Sequence, residues 1–279
     1  MHRILLALAV LLLAAQAAAA GTLDRVRSAG VFKIGYRADA EPFAYVDSIG
    51  EPAGYAVDLC REVAAATKQQ LGLDTLKVDY VKVTAEDRFN AVKDGRVDIL
   101  CDPATVTLSR RAIVDFSLLT FVDGASVLYR TDGPQGFKAL AGQKVGVHAG
   151  TTTEAEVRKA LGAMKIDAQI VPVEKHQDGL TRLESGEFAA YFADRAILSF
   201  LLASSSAAGK LKLSDQYFSQ EPYALAIQRG DEDFRLLVDR TLARLYRSGS
   251  ITTIFAKTFG KARPSNILTV MYGINALAD

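Results

Sequence analysis

The stretch AVKDGRVD (residues 91–98) has a counterpart later in the chain, RLESGEFA (residues 182–189). In both copies a helical pattern ends at a glycine, Gly95 or Gly186, and an apolar strand pattern follows at once. Glycine accepts the left-handed backbone conformation that closes many helices, so each copy predicts a helix, its C-cap and a strand. The repeat indicates two similar α/β units of about 100 residues each.

The sequence around each copy continues this alternation of strands and amphipathic helices. In the first half we predict strands at 31–36, 76–83 and 97–101 and helices at 56–71 and 85–93. In the second half we predict strands at 144–148, 168–173 and 188–192 and helices at 154–161 and 177–184. Such alternation is typical of α/β folds.

Two further strand-like segments, 121–131 and 224–228, connect the halves, and helices are predicted at 233–246 and 251–259. We therefore predict a two-lobed α/β fold with a two-strand hinge and a ligand cleft between the lobes. The expected bounds are 21–123 and 225–279 for the first, discontinuous lobe and 124–224 for the second.

The first 20 residues have the pattern of a secretory signal. A weakly basic start precedes an apolar run at 4–15, and the small residues 18–20 before Gly21 form an A-x-A cleavage site. The apolar run is shorter than the roughly 20 residues that span a bilayer. We expect residues 1–20 to be a cleaved signal peptide and the remainder to be a soluble exported protein.

Composition argues against several classes of function. The chain has 33 basic and 32 acidic residues without a basic block, which gives no electrostatic footprint for nucleic acid or anionic membrane. It has three histidines and no G-x-S-x-G motif, so neither a hydrolase nor a metal site is expected. Its two cysteines, Cys60 and Cys101, are either a disulfide or two buried thiols.

Two short runs, LCDPATVTLSR (100–110) and VHAGTTTE (147–154), carry groups suited to a small zwitterion. Each follows a predicted strand and offers hydroxyl side chains and free backbone amides where a helix begins. The first run adds the guanidinium of Arg110. Together the runs predict a site for both ends of a free amino acid.

The order and spacing of several motifs resemble the polar amino-acid-binding proteins of bacterial ABC importers, solute-binding protein family 3. The motifs are YR (36–37), EPF (41–43), GYAVDL (54–59), T-x-T-x-x-R (105–110), VDFS (114–117) and GTT (150–152). The glutamate/aspartate-binding branch is the most similar, through KH (175–176), LESG (183–186) and SQE (219–221).

This resemblance implies a type II periplasmic-binding-protein fold and a monomeric periplasmic receptor without cofactor or enzymatic activity. Such a receptor closes on a polar amino acid and delivers it to an inner-membrane ABC permease. The branch implies glutamate or aspartate as ligand, with a neutral polar amino acid such as glutamine or asparagine as the alternative.

The resemblance assigns the α-carboxylate of the ligand to Arg110, because a planar guanidinium makes two parallel hydrogen bonds to a carboxylate. Thr152 and the backbone amides of Thr151 and Thr152, at a helix N-terminus, would complete this site. Thr153 and Glu156 have the spacing of a capping box, so Thr153 is expected to cap the helix.

The ammonium group is assigned to Asp194, with the hydroxyl of Thr105 and the carbonyl of Pro103 as further acceptors. Relatives commonly have small residues where this chain has Asp102 and Pro103. A proline still offers its carbonyl but donates no N–H. The sequence gives no role for the charge of Asp102.

Arg37, Arg88 and His176 are the expected contacts of the ligand side chain. Relatives that bind cationic amino acids have an aspartate at the position of Arg37, and a charge reversal in a cleft changes specificity. The hydroxyl residue that this branch places shortly before Arg88 is Ala85 here, so one hydrogen bond to the ligand is missing or moved.

Two other classes of protein share this fold. A cyclohexadienyl-dehydratase-like periplasmic enzyme would need a general acid in the cleft, for which Glu41 or Asp102 is available. A sensing module of a signalling receptor would need a membrane span after the second lobe, and no such run precedes Asp279.

Overall fold

The computed structural model describes residues 21–279, so the predicted signal peptide lies outside the described residues. The helices of this range are α1 Thr22–Ala29, α2 Tyr55–Gln70, α3 Arg88–Lys93, α4 Leu108–Arg111, α5 Thr152–Ala163, α6 His176–Glu184, α7 Arg195–Ser204, α8 Glu232–Ser248, α9 Ile251–Phe259 and α10 Asn266–Ile274. The strands are β1 Val31–Tyr36, β2 Asp39–Ala40, β3 Ala44–Val46, β4 Pro52–Ala53, β5 Lys77–Lys82, β6 Ile99–Leu100, β7 Val114–Asp123, β8 Ala125–Arg130, β9 Lys144–His148, β10 Gln169–Val173, β11 Ala190–Asp194, β12 Leu211–Leu213 and β13 Glu221–Gln228.

Two five-stranded sheets with a similar arrangement organise the molecule: in each, the three parallel strands are in the order second, first, third along the chain. The first has the order β5-β1-β6-β13-β7 and the second β10-β9-β11-β8-β12. In each, three parallel strands are followed by antiparallel ones. A small third sheet, β2-β3-β4, lies next to the first strand in sequence. The predicted two-lobed α/β fold is thus confirmed, and we call the lobes built on these sheets the first and second lobe.

The chain passes between the lobes twice. The predicted strand at 121–131 is in fact two strands, β7 and β8, separated by Gly124. A Cβ atom at Gly124 would lie 2.3 Å from the carbonyl oxygen of Ser219 on the returning segment, so a side chain there would separate the two crossings. The returning segment joins the first sheet at Glu221. The exact lobe bounds stay a prediction.

The elements nearest the cleft are held by a continuous apolar core and a disulfide. The first lobe packs α2, α8 and α9 around β1 and β13. Cys60 in α2 and Cys101, which follows β6, are joined by a disulfide, so of the two alternatives pairing is the one realised. The bond ties α2 to the loop that carries Pro103 and Thr105. Among residues 21–279, no helix has the length and hydropathy to cross a membrane.

Candidate functional site

A small cavity lies between the lobes, where the parallel strands of both sheets end. Its lining residues are Arg37, Arg88, Pro103, Thr105, His148, Thr151, Thr152, Thr153, His176, Phe192, Ala193 and Asp194. Eight of the nine predicted site residues are in this set, and Arg110 is the exception. The cavity has a volume of about 10 Å³. That is room for about one water molecule, so an amino acid requires the walls to move apart.

Arg110 lies behind the loop that contributes Thr105 to the cavity. Its Nη1 donates a hydrogen bond to the carbonyl oxygen of Thr105 at 2.8 Å. Its guanidinium carbon stands 4.8 Å from the ring centre of Phe89, within cation–π range. Burial lowers the pKa of Arg110, and Asp102, Glu221 and Asp194 act against that decrease. A guanidinium has five N–H donors, and among residues 21–279 the bond to Thr105 is the one hydrogen bond that the Arg110 side chain makes, which leaves four donors for a ligand carboxylate.

The N-terminus of α5 is capped by Thr151, which corrects the prediction that Thr153 is the cap. The Thr151 hydroxyl accepts from the backbone N–H of Glu154 at 3.2 Å. The carboxylate of Glu154 in turn accepts from the N–H of Gly150 at 3.0 Å. The N-cap is therefore Thr151, two residues earlier than predicted, because Thr153 is turned toward Asp194, and Glu154 binds the N–H of the residue before the cap.

Glu221, at the start of β13, connects the two lobes through hydroxyl groups. Thr105 of the first lobe and Thr152 of the second donate to the same carboxylate oxygen at 2.5 Å and 2.6 Å. The two hydroxyl oxygens are 3.2 Å apart. Ser219 donates to the other oxygen at 2.8 Å. We did not predict Glu221 as a site residue, although the motif SQE that contains it was a sequence signal.

Asp194 is a buried carboxyl with two hydroxyl partners. Thr153 donates to one oxygen at 2.9 Å, and the Tyr223 hydroxyl donates to the other at 2.5 Å. Burial and the nearby carboxylates Glu221 and Asp123 raise the pKa of Asp194 to about 8, despite these hydrogen bonds. Burial also raises the pKa of Asp123, to about 7. Such a group of carboxyls favours a cation beside it, which an ammonium group supplies.

Arg37 is paired with Asp39, a residue that the sequence did not point to. The Nη2 and Nε atoms of Arg37 donate to one oxygen of Asp39 at 3.0 Å and 3.2 Å. Burial lowers the pKa of Arg37, but Asp102 and Asp39 outweigh it, so the pKa is raised. Burial acts to raise the pKa of Asp39, but the His148 hydrogen bond and Arg37 hold it well below its usual range. Both groups are therefore charged at neutral pH.

Arg88 and Asp102 form a buried ion pair, which gives Asp102 the role that the sequence left open. Nε of Arg88 is 3.3 Å from a carboxylate oxygen of Asp102, and both side chains are almost fully buried. Burial lowers the pKa of Arg88 to about 10, against the attraction of Asp102. The Nη1 atom of Arg88 donates to the carbonyl oxygen of Ala85 at 2.8 Å. The backbone at position 85 thus orients Arg88 although the side chain has no hydroxyl.

Two histidines of the second lobe face this pair of arginines. The Nε2 atom of His148 is 3.1 Å from the second oxygen of Asp39, so the contact crosses the cleft. The ring centres of His148 and His176 are 4.7 Å apart. Burial, with the nearby His148 and Arg37, holds the pKa of His176 well below its usual range, so its ring is neutral. The sequence did not single out His148, although it lies in the run 147–154, or Asp39, because their contact depends on lobe closure.

Comparison with known proteins supports the family that the sequence motifs resemble. A family model of the bacterial extracellular solute-binding proteins, family 3, matches residues 32–261. The L-glutamate/L-aspartate-binding protein of Pseudomonas aeruginosa is 32% identical over 254 residues, which cover 90% of this chain and 84% of that protein.

Solved structures of similar chains share the fold. The solute receptor for L-cysteine of Neisseria gonorrhoeae has a TM-score of 0.76 and 26% identity, covering 88% of this chain and 98% of that one. The ancestral amino acid-binding protein AncCDT-1, a precursor of cyclohexadienyl dehydratase, has a TM-score of 0.74 and 27% identity. That similarity covers 85% of this chain and 99% of the ancestral one.

Proposed function

This chain belongs to the bacterial extracellular solute-binding proteins, family 3, and we propose that it is a periplasmic receptor for an acidic amino acid. Glutamate or aspartate would bind in the cleft between the lobes, and the closed, monomeric complex would deliver it to an inner-membrane ABC permease. The name of the Pseudomonas aeruginosa relative supports this choice of ligand class.

One observation carries the proposal: groups that suit the two ends of an amino acid lie on opposite sides of the cleft, and an ammonium group beside the Asp194 carboxyl would favour its ionised form. Arg110 belongs to the first lobe, while Asp194 and the N-terminus of α5 belong to the second. An amino acid zwitterion would take its carboxylate to the guanidinium and the helix N-terminus and its ammonium to the carboxylate. Neither lobe alone offers both, so the ligand stabilises the closed form in preference to the open one.

The side chain of the ligand would extend toward Arg37, Arg88 and His176. An acidic side chain would share or replace Asp39 as the partner of Arg37, with Asp39 keeping its contact with His148. It would add a carboxylate between two buried guanidinium groups, where the charge is compensated.

A neutral polar ligand is the second candidate, and a specific observation favours it. Arg37 already has Asp39 as a counter-ion, and Arg88 has Asp102. With both arginines compensated, an uncharged carboxamide enters the pocket without an excess negative charge. The two candidates therefore differ in whether the ligand side chain shares or replaces Asp39 as the partner of Arg37.

Titration calorimetry of the mature protein against the twenty L-amino acids tests the proposal. We expect 1:1 binding of glutamate or aspartate with a dissociation constant of about 1 μM, or roughly −8 kcal/mol. Tighter binding of glutamine or asparagine would select the second candidate. No heat with any of them would remove the receptor assignment.

We further propose that the cleft has no enzymatic activity. The feature that a dehydratase could use is Asp194, whose raised pKa suits a general acid. Of the acids considered from sequence, Asp102 is paired with Arg88, and Glu41 is exposed. Incubation with prephenate or arogenate distinguishes the two functions, because the receptor leaves both unchanged and an enzyme converts them.

A further inference from the structure

Three potential metal ligands from separate elements meet at the side-chain end of the cleft. Asp39 lies in β2 of the first lobe, whereas His148 ends β9 and His176 begins α6 in the second. One ligand atom of each lies within 4.8 Å of those of the other two. The three residues are up to 137 positions apart in the chain, so only the closed fold brings them together.

The hydrogen bonds of His148 leave a position between it and Asp39 that only a cation fits. The Nδ1 atom is 2.9 Å from the carbonyl oxygen of Ala149, which can only accept, so Nδ1 carries a hydrogen. In the neutral ring, Nε2 then directs its lone pair at the Asp39 carboxylate oxygen 3.1 Å away. The hydrogen bond described above therefore places a proton between these two acceptors, and a metal ion can take the place of that proton.

His176 offers a second nitrogen without a partner. Its Nδ1 is 2.9 Å from the Tyr191 hydroxyl, which fixes the ring. Its Nε2 is buried and has no hydrogen-bond partner among residues 21–279. An unpaired buried polar atom is costly, so a ligand for it would stabilise the closed form. Histidines that bind metals have this arrangement, with one nitrogen held by an oxygen and the other free for the ion.

We propose that Asp39, His148 and His176 form a binding site for a zinc-class divalent transition-metal ion that links the two lobes. Two imidazole nitrogens and one carboxylate oxygen are a donor set that Zn²⁺ accepts, with water in the fourth position. Arg37 holds one oxygen of Asp39 at 3.0 Å, while the other oxygen faces His148 and also accepts from the backbone N–H of His176 at 3.3 Å. The site goes beyond the proposed function, which places Asp39 and His176 beside the ligand side chain and assigns no metal ion to them.

The observed distances are near those of such a site. Donor atoms around a tetrahedral zinc ion are about 3.4 Å apart, given metal–ligand distances near 2.1 Å. The Asp39 and His148 atoms are 3.1 Å apart, close to that spacing, and the ring nitrogen of His176 that lies within 4.8 Å of both needs to approach by about 1.4 Å at most. The positive charge of Arg37 weakens the site but does not occupy the donor atoms that it uses.

Calorimetric titration of untagged mature protein with ZnCl₂, after removal of metals with a chelator, tests this site. We expect 1:1 binding, and cobalt in place of zinc should give the visible absorption bands of a tetrahedral site. His148→Gln and His176→Gln should each weaken zinc binding at least tenfold. The mature chain has no other histidine, so a remaining histidine site cannot substitute. Asp39→Asn should weaken zinc binding as well, whereas its matched control Asp74→Asn, at an exposed aspartate, should leave the zinc affinity unchanged.

Absence of zinc binding by the folded wild-type protein would overturn the proposal. So would unchanged affinity in both histidine variants, which would indicate adventitious binding to surface carboxylates. Far-ultraviolet circular dichroism establishes that each variant is folded. Amino acid binding, measured in chelator without zinc, is scored separately, so failure of the metal site and failure of the receptor assignment give different results.

Discussion

Asp194 shows how the fold sets the charge state of one carboxyl group. Its folded-state pKa of about 8 lies well above the value near 4 of an unfolded aspartate. Between these values the folded protein binds more protons than the unfolded chain, so this group lowers stability as pH rises through that window. Below about pH 4 it makes no such contribution, because the carboxyl is protonated in both states.

Asp194→Asn should therefore change the pH dependence of stability. Relative to the variant, the wild-type protein should lose about 1 kcal/mol of unfolding free energy per pH unit between pH 5 and pH 7, and the difference should level off above about pH 8. Urea unfolding at a series of pH values measures this. A constant difference between the two proteins across the series would contradict the raised pKa.

Arg37 is the residue at which the charge of the ligand side chain should be read. Arg37→Ala should lower the affinity for glutamate by about 2 kcal/mol, or roughly 30-fold, and that for glutamine much less. The exposed neighbour of the carboxylate-binding arginine, Arg111, supplies the control Arg111→Ala, which should change neither affinity. Equal losses for the two ligands in calorimetry would show that Arg37 does not distinguish side-chain charge.

Residue types and spacing predicted most of the cleft but not its internal pairing. Eight of the nine predicted residues line the cavity, because strand ends of parallel sheets meet at one edge. Asp39 and His148 had no signal, since their contact joins lobes that are distant in sequence. Thr153 was wrongly assigned as a cap, because Thr151 and Thr153 both fit the local pattern and only the contact with Asp194 separates them.

At the scale of elements, α6 is positioned by the close approach of Gly179 to β11. A Cβ atom there would lie 2.1 Å from the ring of Tyr191, the residue that also holds His176. Gly179→Ala should therefore push α6 away, cost about 1–3 kcal/mol of stability and weaken amino acid binding.

Gly162→Ala in α5 is the control for this substitution. A Cβ atom at Gly162 meets no atom within 4 Å, so the change should be neutral or stabilise the protein by about 0.5–1 kcal/mol. Chemical denaturation and calorimetry measure both effects. Similar stability of the two variants would show that α6 can move without cost.

Element prediction succeeded where the apolar period was clear. The strands predicted at 31–36 and 144–148 have the observed bounds of β1 and β9, which are mostly buried, with Val, Phe and Ile in β1 and two Val in β9. The helices α1, α7 and α10 were missed. In α10 apolar and small residues outnumber the polar ones, and Ile267, Val270 and Ile274 are exposed. Its sequence therefore lacks the alternation of an apolar and a polar face that predicts an amphipathic helix.

For the whole molecule, the small size of the cavity implies an opening motion. Ligand should convert a population of more open forms into the closed one, lowering the radius of gyration in solution scattering. It should also raise stability by about 2.7 kcal/mol at a hundredfold excess over the dissociation constant. Unchanged scattering under conditions where calorimetry reports binding would contradict closure between the lobes.

The position of β13 also has a consequence for the order in which the polypeptide becomes structured. This strand lies between β6 and β7 in the first sheet, yet it follows the whole second lobe in the chain. The second lobe can fold from one uninterrupted segment, whereas the first lacks an inner strand until that segment has passed. During N-to-C-terminal emergence we therefore expect the lobe that begins the chain to be the last to acquire its native hydrogen bonding.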